Sequence, residues 1–121
     1  MRTKNIAAAI VIATALAANT LPAVSAEANR AVSISSILPI SNVRPAQPET
    51  QSIIRVYFAS APFGTLNCRT DAADIALEDW HLYSTIMSGW RDGKTVTVYV
   101  DDNAHLVPGD VACRIVAARV Q

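Results

Sequence analysis

Hydrophobic and polar residues alternate along several short segments of the chain, and this pattern predicts a protein built mainly from β-strands. The alternation is strictest in Lys94–Val100, where valines occupy every second position. Ile53–Ser60 shows the same pattern and is rich in β-branched and aromatic residues. With the weaker candidates included, the predicted strands are Ala31–Leu38, Ile53–Ser60, Thr65–Arg69, Lys94–Val100 and Ala112–Val120.

One segment, from about Ala76 to Gly93, has a helical period instead. Side chains three and four positions apart share one face of a helix. The apolar face that this period predicts consists of Trp80, Tyr83, Ile86, Met87 and Trp90. Of these, Trp80, Tyr83, Met87 and Trp90 in particular are expected to be buried. The opposite face, predicted to meet solvent or a subunit interface, carries His81, Thr85 and Ser88. Gly93 follows the last periodic residue and is expected to end the helix.

The order of these elements is strand, strand, short strand, helix, strand, strand. A helix that occurs only once argues against a parallel α/β sheet. The order predicts a small β-rich α+β fold, an OB-like barrel of five strands with one helix between strands three and four. The segment between Pro39 and Thr50 contains three prolines and is expected to be a loop, as is Asp101–Asp110.

The first 26 residues have the pattern of a cleavable signal peptide. Arg2 and Lys4 precede the apolar run Ile6–Ala17, and Val24-Ser25-Ala26 matches the small-residue rule for cleavage. The apolar run has 12 residues, whereas a membrane span needs about 20. We therefore expect cleavage before Glu27, a secreted or periplasmic protein, and no membrane span after cleavage.

The remaining residues, 27–121, are enough for one domain. The loss of Arg2 and Lys4 leaves eight basic and ten acidic residues, which gives a net charge of −2. These charged residues are scattered along the chain. Because there is no basic cluster, the sequence does not favour a nucleic-acid partner.

Two cysteines, Cys68 and Cys113, lie in the predicted mature chain. In an oxidising compartment the simplest expectation is a structural disulfide between them. Their spacing from His81 and His105 fits no zinc template, so the sequence predicts no metal site.

The sequence also predicts no catalytic residues, no cofactor and no enzymatic activity. No serine lies in a nucleophile elbow, and neither histidine has a recognisable catalytic partner in sequence. Tyr57 and Tyr99 fall on the polar sides of their strands and are candidates for an exposed binding face, although a second core layer would explain them equally well. Trp80 and Trp90 could stack on a sugar, but their place on the apolar helix face favours a core role.

Three features resemble the OB-fold binding subunits of bacterial exotoxins, of the subtilase-cytotoxin and pertussis-type group. They are Cys68 on a strand, the amphipathic helix segment His81–Gly93, and the alternating strand Lys94–Val100 that follows at once. The upstream strand Val56-Tyr57-Phe58 and the signal peptide are also similar. The likeness covers about half of the predicted mature chain.

This resemblance implies a non-enzymatic module that recognises a cell-surface glycan or protein receptor and assembles into a homo-oligomeric ring. In such rings the helix lines the central pore, which would give His81, Thr85 and Ser88 a role. The alternative is a periplasmic structural or inhibitory small protein of the same fold that binds no glycan. A small hydrolase is the third and least favoured interpretation.

Overall fold

Six strands form a single sheet in the computed structural model, which describes residues 27–64 and 66–121. The predicted signal peptide lies outside these described residues. The strands are β1 (Glu27–Val32), β2 (Ile34–Ile40), β3 (Ile53–Phe58), β4 (Ala72–Ala76), β5 (Val96–His105) and β6 (Cys113–Val120). A short 3-10 turn, Leu77–Asp79, leads directly into the helix α1, Trp80–Arg91.

The strand order across the sheet is β1-β5-β6-β4-β3-β2. Neighbouring strands are antiparallel except β4 and β6, whose short parallel pairing aligns Ala73 with Cys113 and Asp74 with Arg114. The two outermost strands, β1 and β2, follow each other in the chain with only Ser33 between them. One extended stretch of chain therefore supplies both edges of the sheet.

The β-rich α+β class, with one helix and one disulfide, is confirmed. The predicted OB-like barrel of five strands is corrected to a single open sheet of six strands. The additional strand arises because the predicted first strand divides at Ser33. Its first half pairs with β5 and its second half pairs with β3. A register shift between Ile34 and Ser36 accompanies the change of partner.

Several predicted strand boundaries are also corrected. The third strand is Ala72–Ala76, whereas residues 66–69 lie in turns before it. Alanine has a low strand propensity, and tertiary pairing with β3 overrides it here. β5 continues to His105, into the segment expected to be a loop, and a register shift against β6 accommodates the extra length.

The core fills one side of the sheet, beneath the helix. Ile54, Val56 and Phe58 of β3 point into it together with Ile75 of β4, and all are buried. Because side chains alternate across a strand, Arg55 and Asp74 lie on the opposite side. A second, smaller cluster of Ile40, Ile53, Leu106 and Val107 covers that opposite side with the β5–β6 connection.

The helix is present, but the expected burial of both tryptophans is wrong. The residues of α1 that are buried against the sheet are Leu82, Ile86 and Gly89. Trp80 is 64% exposed and Trp90 is 39% exposed, while Tyr83 and Met87 are half-buried. At about 100° per residue, the apolar residues extend over about half of the helix circumference, and the sheet covers only one flank of that arc.

Gly89 determines which flank is covered. A Cβ atom at this position would lie 2.7 Å from a methyl group of Val120 and 2.8 Å from one of Val96. Only glycine therefore permits this close approach of helix and sheet. Packing on the Gly89 side leaves the flank with Trp80 and Trp90 turned outward.

Candidate functional site

A groove lies where the C-terminal end of α1 meets the junction of β1 and β2, and its volume is about 390 Å³. It has the size of a small-ligand site, near the lower end of the usual range of about 300–1,000 Å³. The groove is lined by Ala31, Val32, Ser33, Ile34, Trp90, Gly93, Lys94, Thr95 and Val96.

The helix terminus fixes one wall of this groove. Gly93 has a φ of 64°, the left-handed conformation that glycine adopts at helix ends. Its N–H donates to the carbonyl of Trp90 (3.2 Å), and the N–H of Lys94 donates to the carbonyl of Gly89 (2.9 Å). These two bonds form a Schellman motif, which confirms Gly93 as the end of the helix and holds the backbone of Trp90 and Lys94 in place.

The polar side chains of this groove are not engaged elsewhere in the described part of the chain. Within residues 27–64 and 66–121, Ser33, Trp90, Lys94 and Thr95 make no side-chain hydrogen bond, and Lys94 forms no ion pair. An indole that is 39% exposed, an ammonium group and two hydroxyls thus line one concave surface. Such a set can stack on a ring and donate hydrogen bonds to it.

The structure does not bring Tyr57 and Tyr99 together. Tyr57 lies on β3 and Tyr99 on β5, with β4 and β6 between these strands, which is about 14 Å at ordinary strand spacing. Both rings are half-buried. The guanidinium of Arg69 lies over the Tyr57 ring, 5.7 Å from its centre, so that this ring already has a cationic partner.

His81, Thr85 and Ser88 are all exposed on the outer face of α1. Thr85 donates its hydroxyl hydrogen bond back to the carbonyl of His81 at 3.1 Å, which is a local bond within the helix. Ser88 also borders a second, smaller groove of about 290 Å³. Its other lining residues are Tyr83, Ser84, Met87, Arg91 and Asp92. The role of the three residues at a pore or interface stays a prediction.

A buried ionic cluster on the side of the sheet away from the helix was not predicted from the sequence. Arg55 donates to both carboxylate oxygens of Asp74, at 2.7 and 2.8 Å, and its Nη2 also lies 3.0 Å from Asp110 Oδ2. Arg55 is 5% exposed and Asp74 is fully buried. One signal was available, since Arg55 and Asp74 each interrupt an otherwise apolar stretch and charged residues are rarely buried without a partner.

The surroundings shift the ionisation of this cluster. The hydrogen bond to Asp74 raises the pKa of Arg55. Burial raises the pKa of Asp74, and the contact with Arg55 acts in the opposite direction. Burial would also raise the pKa of Asp110, but the backbone N–H of Ala112 and the Arg55 guanidinium outweigh it and hold that pKa below its usual range.

The cluster continues outward through Arg69. Its Nη1 lies 3.7 Å from Asp110, and its Nε donates to Asp71 at 2.6 Å. The Arg69 hydrogen bond lowers the pKa of Asp71. Arg69 also donates its backbone N–H to the carbonyl of Val111 at 2.7 Å. The cluster therefore links the β5–β6 connection to β3, to β4 and to the segment that precedes β4.

The predicted disulfide between Cys68 and Cys113 is confirmed, and it joins the same two regions of the chain. Cys68 lies in the turn before β4 rather than on a strand, and Cys113 is the first residue of β6. His105 Nε2 lies 3.7 Å from Cys113 Sγ and 3.4 Å from the Asn67 carbonyl oxygen. A sulfur held in a disulfide is not a nucleophile, so this contact is structural.

Neither a metal-binding cluster nor a membrane-spanning helix is found among the described residues. No group of three or more histidine, cysteine, aspartate or glutamate side chains in 27–64 and 66–121 is arranged to hold a metal ion. No helix within these ranges has the length and apolar character needed to cross a membrane.

Comparison with known proteins found no matching family model, no matching curated protein and no matching solved structure.

Proposed function

We propose that this protein is an exported, non-enzymatic binding module of OB type that recognises a glycan or a protein receptor. The observation that carries the proposal is the exposure of two tryptophans on one helix, 64% for Trp80 and 39% for Trp90. Tryptophan is enriched at recognition surfaces and contributes strongly where it is buried by a partner. Exposed aromatic surface costs solubility unless a partner covers it.

The strand order supports the OB assignment. In this proposal β1 and β2 correspond to the two halves of one OB strand that bends at Ser33, in a sheet that stays open between them. With the halves counted as one strand, the helix follows the third strand, Ala72–Ala76, and precedes the fourth. This placement of the one helix is the feature by which the element order matches the partly open five-stranded Greek-key barrel of the OB fold.

Export is part of the proposal. Its support is the signal-peptide pattern of residues 1–26 together with the Cys68–Cys113 disulfide, a bond that persists in oxidising compartments. Mass spectrometry of the mature protein should give a chain that starts at Glu27. A chain with an intact Met1, or one that starts beyond Arg30, would contradict the cleavage site.

The binding function is tested by applying the exported, disulfide-bonded protein to a glycan array. Selective binding to a set of related glycans is the expected result. An array without selective binding would contradict glycan recognition and favour the alternative, a periplasmic structural or inhibitory protein of the same fold.

Assembly into a ring is tested separately by sedimentation. If α1 lines a pore, Thr85→Glu places like charges around that pore, so the oligomer should dissociate while the circular dichroism spectrum stays unchanged. Thr70→Glu makes the same chemical change at an exposed position outside the helix and should leave the oligomer intact. A protein that sediments as a monomer before and after the change would contradict the ring.

A further inference from the structure

We propose that the Cys68–Cys113 bridge is a redox-sensitive lock on the β5–β6 connection, which an external thiol opens by attack on Cys68 while His105 stabilises the Cys113 thiolate that leaves. The contact between His105 and Cys113 is structural while the bridge is closed, and it acquires this chemical role when the bridge opens. The inference concerns the bridge itself, so it stands or falls independently of the proposed binding function.

The two sulfurs of the bridge differ in access. Cys68 lies in the turn before β4 and keeps 8% of its surface exposed, whereas Cys113 is fully buried at the start of β6. The rate of thiol–disulfide exchange depends on which sulfur the attacking thiolate can reach. Cys68 is therefore the sulfur that is attacked, and Cys113 is the sulfur that leaves.

The leaving sulfur has an imidazole beside it. His105 lies directly opposite Cys113 in the antiparallel pairing of β5 with β6, and its Nε2 lies 3.7 Å from Cys113 Sγ. A hydrogen bond from an imidazolium to a thiolate is charge-assisted, and a thiol beside a protonated histidine ionises more readily. A sulfur also leaves a disulfide faster when its thiolate is more stable. His105 therefore favours opening of the bridge with Cys113 as the leaving group.

The other charged groups around the bridge are engaged with one another. The pairs on the neighbouring elements are Arg69 with Asp71, Arg55 with Asp74, Asp110 with both of these arginines, and Arg114 with Asp79. On β5 itself, Asp101 and Asp102 precede His105, and Asp101 accepts a hydrogen bond from the backbone N–H of Asn103. Within residues 27–64 and 66–121, His105 is the one titratable side chain within hydrogen-bonding distance of Cys113 Sγ.

Opening of the lock is an ordinary thiol–disulfide exchange with a monothiol such as glutathione. The glutathione thiolate forms a bond to Cys68 Sγ while the bond between the two cysteines breaks, and the electron pair of that bond leaves with Cys113. A second glutathione thiolate then attacks the first glutathione sulfur, which frees Cys68 and releases oxidised glutathione. The two protein sulfurs are reduced and take up two protons, and two glutathione thiols are oxidised and lose two.

The ionic cluster remains as a link between the same two regions after the bridge opens. Arg69, which follows Cys68, donates its backbone N–H to the Val111 carbonyl at 2.7 Å and approaches Asp110 at 3.7 Å. These contacts hold the two thiols close together, and groups held in this way react as an intramolecular pair. An external disulfide can therefore close the lock again.

Peptide mapping identifies the sulfur that is attacked. The exported, bridged protein is treated briefly with glutathione, quenched in acid, denatured and alkylated with N-ethylmaleimide. Trypsin then separates Cys68, in residues 56–69, from Cys113, in residues 95–114. Glutathione should be found on Cys68 and the alkyl group on Cys113, in about tenfold excess over the reverse arrangement. Equal amounts, or an excess of the reverse arrangement, would overturn the proposal.

The role of His105 is tested with a variant that keeps its hydrogen bond but not its charge. The amide of His105→Gln can still donate to the Asn67 carbonyl, which His105 Nε2 approaches at 3.4 Å. At equal concentration of glutathione thiolate, this variant should open about threefold more slowly than the parent at about pH 6, and the two rates should converge above about pH 8, where histidine is neutral. Asn103→Gln places the same side chain at an exposed position two residues earlier on β5 and should open at the parent rate. Equal rates for His105→Gln and the parent at every pH would refute the role of His105.

The concentration of glutathione distinguishes opening of the folded protein from opening after unfolding. The opening rate should rise in proportion to glutathione concentration, the circular dichroism spectrum should persist, and oxidised glutathione should restore the bridge at a rate independent of protein concentration. An opening rate that levels off at the rate of global unfolding, or a spectrum that is lost on reduction, would show that the bridge opens only with the whole fold and would overturn the lock.

Discussion

Arg55 and Asp74 lie opposite each other in the antiparallel pairing of β3 with β4, and they form a bidentate ion pair in which both side chains are buried. Their charges lie on the side of the sheet opposite the apolar core. Asp110 reaches the same guanidinium from the β5–β6 connection. The pair thereby links two strands that are neighbours in the sheet to a loop that is distant in the sequence.

Asp74→Ala should destabilise the protein by about 3–5 kcal/mol, because it leaves the Arg55 charge buried without its main partner. The double variant Arg55→Met, Asp74→Ala removes both buried charges and should cost less than Asp74→Ala alone. Urea unfolding of both variants measures the two free energies. A double variant that is less stable than the single one would show that the charges themselves stabilise the fold.

The free energy of unfolding should fall in acid as Asp110 becomes protonated. The pKa of Asp110 is lowered in the folded protein, so below the ordinary aspartate value of about 3.9 the unfolded chain binds more protons than the folded one. The contribution of Asp110 is therefore complete above the ordinary aspartate pKa and is lost as the pH falls through the lowered pKa of the folded protein.

Asp110→Asn should accordingly be less stable than the parent at neutral pH, and the difference should shrink in acid. Because the pKa of Asp74 is raised rather than lowered, the pH profile of the parent combines two opposing effects. The difference between variant and parent isolates the effect of Asp110. Urea unfolding at several pH values provides the measurement. A difference that stays constant from neutral pH to well below the ordinary aspartate pKa of about 3.9 would contradict the role of Asp110.

Gly89→Ala should destabilise the protein even though alanine is the better helix former by about 1 kcal/mol. The added methyl group would overlap with Val96 and Val120, and overpacking of this kind costs about 1–3 kcal/mol. Thermal unfolding should show a lower midpoint. Ser88→Ala, at the exposed neighbouring position, is the control and should change stability by less than about 0.5 kcal/mol.

The double variant Cys68→Ala, Cys113→Ala should lose about 2–5 kcal/mol, because the bridge closes a loop over 45 positions of the sequence. Most of this effect acts on the unfolded chain, whose freedom the bridge restricts. Urea unfolding of the double variant and of the oxidised parent gives the difference. Equal stability would show that the buried ionic cluster alone is enough to hold the β5–β6 connection.

The helix α1 illustrates which features of the fold can be predicted from the sequence and which cannot. Its period and its glycine stop at Gly93 were predictable, because both are local properties of the chain. The face was misassigned because the apolar arc is wider than the surface that covers it, and the choice of flank depends on Gly89. A glycine inside a helical pattern is a weak signal in the sequence. The reason for Gly89 is visible only in the structure, where Val96 and Val120 pack against it too closely to admit a Cβ atom.

The candidate site was less accessible to prediction than the fold. The disulfide was predictable from the two cysteines together with the signal-peptide pattern, without any knowledge of geometry. The groove combines residues from Ser33 and from Trp90–Thr95, which a pattern along the chain cannot place together. The ion pair likewise depends on the register that sets Arg55 opposite Asp74.

The division of the first strand at Ser33 has a consequence for aggregation. An exposed sheet edge is a template for pairing with other chains, and natural proteins discourage such pairing with charges, prolines and bulges. β1 carries Glu27 and Arg30, while β2 carries Pro39 and a register shift near Ser36. Both edges are therefore poor templates, so self-association of this protein would join side-chain surfaces rather than extend the sheet from one copy to the next.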